Sequence, residues 1–191
     1  ESVIEKGLVA KVVRLGNLSA RATDGEFQIN YRTNSAMGRL HIFQMLGCCG
    51  FSQMASQMEF SPIDEVAQSI LLLSTAPKEC VIFHAFNNHT VLLGDVVDEM
   101  AKTLGVDIRY VEESEFENAV AEAGKDPEKA KVLQSILAYR GMSQGHGFPK
   151  YNPYTIQVLA RLGFRWNVTS WDYVQRFIGV IASLEFFTDH R

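Results

Sequence analysis

The chain has 191 residues, 47% of them hydrophobic and 21% charged, with a net charge of −4 at neutral pH. That make-up suits a globular protein able to bury a sizeable core as one domain, with room for a subdomain. It carries no basic footprint for nucleic acid, and no apolar run approaches the roughly 18–20 residues of a membrane-spanning helix.

Taken in order, residues 1–6 set Val3 and Ile4 against charged neighbours and stop at Gly7, the pattern of a glycine-closed helix end. Leu8 to Leu15 is rich in β-branched residues, as a buried parallel strand requires, and runs straight into Gly16-Asn17. A helix end followed by such a strand is the second half of a βαβ unit. The sequence therefore reads as the later part of an α/β fold, without the first strand of that unit.

Residues 19–34 are polar and loop-like, with Asp24-Gly25 as a turn signal. Helical spacing of Met37, Leu40, Phe43 (or Ile42) and Leu46 predicts a helix over Ser35 to Leu46, ended by Gly47-Cys48-Cys49-Gly50. Ser61-Pro62-Ile63-Asp64 is a capping-box pattern opening a helix to about Ser74. Cys80 to Phe86 predicts a second buried strand, with His84 as a core histidine, and it ends in Asn87-Asn88-His89. A helix follows from Thr90 to Leu104, closed by Gly105. Next come a strand over Asp107 to Val111, a helix over Glu115 to Ala123, and one from Asp126-Pro127 to Arg140. Residues 141–153 are glycine-rich and expected to be flexible; helices are predicted at Tyr154 to Leu162 and from Trp171 to about Leu184.

Three cysteines, Cys48, Cys49 and Cys80, are neither a disulfide framework nor a Cys-x-x-Cys zinc pair, and they fit a reducing, cytoplasmic setting. The acidic residues at 112–117 read as a solvated face. Strands alternating with helices make the fold class α/β. The expectation is the C-terminal portion of a doubly wound Rossmann-type fold, a sheet edge of two or three strands with a mainly helical subdomain. Residues 1–18 and 76–111 would form the sheet edge, and 19–75 with 112–191 the helical part.

Several passages, in order, resemble the thioester reductase domains of nonribosomal peptide synthetases and carboxylic acid reductases, within the extended short-chain dehydrogenase/reductase group. Val13-Arg14-Leu15-Gly16-Asn17-Leu18 with Asp24-Gly25-Glu26-Phe27-Gln28 is the first, and Asn34 fits the residue opening the next helix. Glu59-Phe60-Ser61-Pro62-Ile63-Asp64, Phe83-His84-Ala85-Phe86-Asn87-Asn88, Leu162-Gly163-Phe164 with Trp166, and Phe186-Phe187 continue it.

The resemblance implies an NAD(P)H-dependent enzyme, NADPH by family habit, that releases an acyl or peptidyl thioester from a phosphopantetheine-bearing carrier protein as an aldehyde or alcohol. It implies that Leu15, Gly16, Asn17 and Leu18 line the nicotinamide side, and that Asn17, Phe27, Gln28, Asn34 and Met37 face the substrate. Two structural alternatives stay open: Gly16-Asn17 equally serves as a turn at a strand end, and Phe27 and Met37 equally serve as core. No catalytic residue is expected in the chain, because the family's Tyr-x-x-x-Lys pair and its glycine-rich phosphate turn are absent from it. The fragment alone is accordingly expected to be inactive. The alternatives are a sugar-nucleotide epimerase or dehydratase of the same group, or a non-catalytic module that docks a carrier protein. The strand at 9–15 is expected beside that at 81–86, its other edge open to dimerisation.

Overall fold

The computed structural model describes Lys6 and residues 10–133, 151–184, 186 and 187. The helix end expected before Gly7 (Lys6 apart), the later half of the helix running to Arg140, and the glycine-rich stretch up to Lys150 lie outside the described residues. In chain order the first elements are β1 (Val12–Leu15), β2 (Leu18–Ser19), a 3-10 turn (Tyr31–Thr33), α1 (Ser35–Leu46), β3 (Cys48–Gly50), α2 (Phe51–Met54), β4 (Gln57–Glu59), β5 (Ser61–Pro62) and α3 (Ile63–Ser74). They continue with β6 (Ile82–Ala85), β7 (Thr90–Leu92), α4 (Leu93–Leu104), β8 (Arg109–Val111), α5 (Glu113–Ala123), α6 (127–133 as described), α7 (Pro153–Arg161) and α8 (Trp171–Ser183).

These elements form two compact units. Stretches 1–24, 59–90 and 150–169 make the first, and 25–58, 91–149 and 170–191 the second. The division differs from the one expected from sequence. Helix α3 packs with β6 and α7 in the first unit, while β8 lies in the second, where it pairs with β3. The expected sheet edge of two or three strands therefore holds two.

In the first unit β1 runs parallel to β6, with Val12 opposite Ile82 and Leu15 opposite Ala85, as the sequence suggested. Among the described residues β1 pairs with no other strand. The two-faced burial expected of these strands is not what forms. Along β6, Phe83 and Ala85 are buried while Ile82 and His84 are exposed, the alternation of a strand covered on one side. The covered side packs on Val66, Leu73, Leu159, Phe164 and Trp166 from α3, α7 and the following loop. Phe164 and Trp166 meet edge to face at 5.1 Å, and Tyr154 stacks on Phe83. His84 is thus a surface residue of its strand, not the expected core histidine.

In the second unit α1 has the predicted bounds. Asn34 caps it, its side-chain oxygen accepting the Met37 N–H at 3.2 Å, and Gly47 closes it at φ 62°. Met37, Leu40, Ile42 and Phe43 fill the core. The Gly47-Cys48-Cys49-Gly50 stretch does more than end the helix, because Cys48–Gly50 form β3 and run parallel to β8. Both cysteines are buried, and burial pushes the Cys49 thiol up to about 12, with Arg39 opposing. The helix expected from Thr90 starts at Leu93, since Thr90–Leu92 is drawn into pairing with β4. Ser170 caps α8 by accepting the Tyr173 N–H. Helix α8 buries Val174, Phe177, Ile178 and Ile181.

Candidate functional site

Parallel strands present their carboxyl ends, and the loops that leave them, as the place where an α/β fold binds ligands. In the first unit those loops are Gly16-Asn17 after β1 and Phe86 to His89 after β6. Both are held by the side chains of Glu59 and Ser61, from β4 and β5.

Glu59 is buried at 3% exposure, and both its carboxylate oxygens accept the Asn17 N–H, at 3.1 and 3.2 Å. The Ser61 hydroxyl donates to the same carboxylate. Its oxygen accepts the Asn87 N–H at 2.9 Å. The Ser61 backbone N–H donates to the Asn17 carbonyl at 3.0 Å. Ser61 is therefore engaged here, and the capping box read in Ser61-Pro62-Ile63-Asp64 does not form; no side chain caps α3.

Gly16 owes its lack of a side chain to this arrangement. A Cβ there would stand 2.1 Å from Oε1 of Glu59 and 2.5 Å from Cβ of Phe86. The glycine is required by the approach of Glu59 and Phe86, whatever occupies its open side.

Asp64 and Glu65 anchor two further loops. Asp64 accepts the N–H groups of Ala22 at 2.9 Å, Thr23 at 3.1 Å and Glu65 at 3.1 Å. Burial pushes its carboxyl up, but these donors outweigh burial and hold it below the ordinary aspartate value. Glu65 behaves oppositely. Burial raises its carboxyl above the ordinary value against the hydrogen bonds from Asn167, with Asp64 adding to the rise and His89 opposing it. Its Oε2 is buried and has no hydrogen-bond partner among the described residues.

The loop after β6 is fastened in turn to the segment after α7. Asn87 donates from Nδ2 to the Asn167 carbonyl at 3.0 Å, and its Oδ1 accepts the His89 N–H at 2.9 Å. The Thr169 hydroxyl donates to the His89 carbonyl at 2.6 Å. Asn152, 5% exposed, donates from its side-chain amide to β6 at the His84 carbonyl, 3.0 Å, and to the loop after it at the Phe86 carbonyl, 2.9 Å.

Of the residues expected at the cofactor, Leu15 is exposed, Gly16 and Asn17 are half-buried, and Leu18 packs against the core of the first unit. The four expected only at the substrate belong to the second unit. There Phe27 meets the Phe177 ring edge-on at 5.7 Å, Gln28 lies by the Asn30 carbonyl, Asn34 caps α1, and Met37 is 1% exposed. Glu59, Ser61, Asn87 and Asn152 were not singled out from sequence as site residues. Their only signal was that the first three stand inside the family-like passages. Among the described residues no group of three His, Cys, Asp or Glu side chains could hold a metal ion. An open hollow of about 360 Å³ in the second unit is lined by Asp95, Asp98, Glu99, Lys102 and Trp171. None of the expected site residues is among them.

A parallel strand pair covered on one face, with polar loops at its carboxyl ends, joined in one chain to a mainly helical unit, is similar to part of the extended short-chain dehydrogenase/reductase fold seen in solved thioester reductase domains. The particular solved structures are reductase domains of peptide-synthetase systems. The chain is 29% identical to a thiolation-reductase di-domain from an archaeal non-ribosomal peptide synthetase, over 97% of this chain and 38% of that one, with a TM-score of 0.81. It matches the reductase domain of the aureusimine biosynthetic cluster at 17% identity over 96% of this chain and 47% of that one, TM-score 0.72. The reductase domain of a nonribosomal peptide synthetase from Mycobacterium tuberculosis matches at 14% over 92% and 46%, TM-score 0.65. The last two bear on the fold alone. The chain spans less than half the length of each of these structures. No protein-family model matches it, and no match is found among curated proteins.

Proposed function

We propose that the chain is the C-terminal portion of a thioester reductase domain that releases a carrier-bound acyl or peptidyl thioester as an aldehyde or alcohol. The observation that supports this most is the match along 97% of the chain to a reductase that its describers place beside a thiolation domain. That thiolation domain belongs to the other protein; a phosphopantetheine-bearing carrier is the partner proposed here.

On this reading NADPH supplies the hydride when bound. The backbone of Leu15–Leu18, with the exposed Leu15 side chain, contributes one wall of its nicotinamide pocket. The filled space beside the Gly16 Cα means that Glu59 and Phe86 back this wall from inside. Asn17 presents an amide side chain from the same turn, suited to orient a thioester carbonyl by hydrogen bonding. The phosphate cradle and the proton-donating Tyr-x-x-x-Lys pair belong to the portion of a reductase domain that these 191 residues do not span.

The test is NADPH oxidation by a full reductase domain carrying these residues, with an acyl thioester of phosphopantetheine as substrate and a sugar nucleotide as control. Turnover of the thioester alone is expected, and the 191-residue chain assayed by itself should show none. Turnover by the short chain at the rate of the full domain would overturn the assignment of roles.

A further inference from the structure

Glu59 has no part in the reaction just described, yet it is among the most buried charged side chains of the first unit. Taking a carboxylate out of water costs several kcal/mol unless donors are arranged around it. The donors arranged here come from two different loops. Asn17 N–H reaches both carboxylate oxygens directly, and Asn87 N–H reaches the same carboxylate through the Ser61 hydroxyl, which is 0% exposed. One loop follows β1 and the other follows β6, so a single buried group sets the backbone at the carboxyl ends of both paired strands.

We infer that Glu59 is a positioning residue that couples the two crevice loops, so that the Gly16-Asn17 backbone and the Asn87 backbone are held or released together through Ser61. Its effect on a bound cofactor rests on the proposed function; the coupling rests on the hydrogen-bond geometry alone. The relay continues beyond Asn87, whose side chain fixes the His89 N–H and the Asn167 carbonyl. Displacing Glu59 should therefore also loosen the segment after α7. An apolar residue at position 59 would leave the Asn17 N–H and the Ser61 hydroxyl unpaired in a buried place. A glutamine would keep one oxygen for the Asn17 N–H and the Ser61 hydroxyl, but it would remove the charge and set an NH2 where Oε2 now stands 3.2 Å from the Asn17 nitrogen.

Amide hydrogen exchange reads the coupling without any ligand. In Glu59→Gln the amides of Asn17 and Asn87 should both exchange roughly tenfold faster or more, the scale set by a hydrogen bond to a charged group, while amides in the middle of α3 keep their wild-type rates. Faster exchange at Asn17 with Asn87 unchanged, or no change at either, overturns the inference. Should Glu59→Gln fail to fold, Ser61→Ala decides. It removes only the middle link and is expected to quicken Asn17 as well as Asn87, whereas quickening of Asn87 alone overturns the coupling. NADPH titration of a full reductase domain keeps the two readings apart. A wild-type domain that binds no NADPH counts against the proposed function, and uncoupled exchange counts against the role of Glu59.

Discussion

Asn167 donates its side-chain amide to Oε1 of Glu65 at 2.5 Å, joining residues 102 positions apart in the chain. The other oxygen of that carboxylate is buried without a hydrogen-bond partner among the described residues, and burial holds the group's pKa above the ordinary value. A carboxyl raised on folding contributes stability that is present below its unfolded pKa and is lost as pH rises through the folded one. Glu65→Gln should therefore stabilise the protein at pH 7 by about 1 kcal/mol, or roughly 2–4 °C in melting temperature. That advantage should shrink as pH falls through the raised folded value and be gone once the pKa of a free glutamate is reached. Denaturant melts of both proteins from pH 7 down to pH 4 check it; a gap that widens on acidification would contradict it.

Its neighbour should respond with the opposite sign. Asp64 is held below its ordinary pKa by three backbone N–H donors, so its contribution is present above the unfolded pKa and fades as pH falls through the folded one. Asp64→Asn should cost about 1 kcal/mol at pH 7, after discounting the hydrogen bonds for partial exposure. The cost should fade as pH falls below the ordinary aspartate value and through the lowered folded one, and the same melts, run to lower pH, measure it.

Gly16→Ala distinguishes packing from ligand approach. With the new methyl 2.1 Å from Glu59 and 2.5 Å from Phe86, the variant should lose about 1–3 kcal/mol of stability with no ligand present. Urea unfolding of the free protein is sufficient. An unchanged midpoint would mean that the loop has room for a side chain and that the glycine serves something outside it.

Asn34 was read from the sequence as a substrate-facing residue, and it caps α1. Asn34→Ala should cost about 1 kcal/mol of stability, while Asn34→Asp, an equally good cap, should cost little. A loss of thioester turnover in Asn34→Asp at undiminished stability would show that the side chain has a second duty at the substrate.

The cysteines should divide by burial. Cys48 and Cys49 are buried, and burial raises both thiols, Cys49 to about 12; Cys80 is partly exposed. Since the thiolate is the reactive form, alkylation of native protein at pH 8 should modify one cysteine per chain. The other two should react only after unfolding, as the intact mass will show.

Local patterns were readable wherever the chain decides its own structure. The bounds of α1 follow from the spacing of Met37, Leu40 and Phe43, and the αL closure of α4 follows from Gly105. The β1–β6 pairing was legible because both runs are β-branched and end in polar loops. What escaped depends on distant partners. Cys48–Gly50 is a strand because Arg109–Val111 arrives beside it, and three residues carry no periodicity of their own. Ser61 looks like a helix cap and is diverted by Glu59, a residue type seldom expected inside a protein. His84 was assigned the wrong surroundings because alternation alone does not say how many faces of a strand are covered.

The interleaving of the two units has a consequence for how the chain folds. Strand β1 waits for β6, and β3 for β8; each pair is parallel and closed by chain that passes through the other unit. Neither unit is a continuous stretch, so each must wait for chain made after part of the other has emerged. Long-range parallel pairing is slow to nucleate. The helices between the strands must gather first, and the hydrogen-bonded pairs close last. Stopped-flow refolding should show helical ellipticity returning before the amides of β1 and β6 become protected.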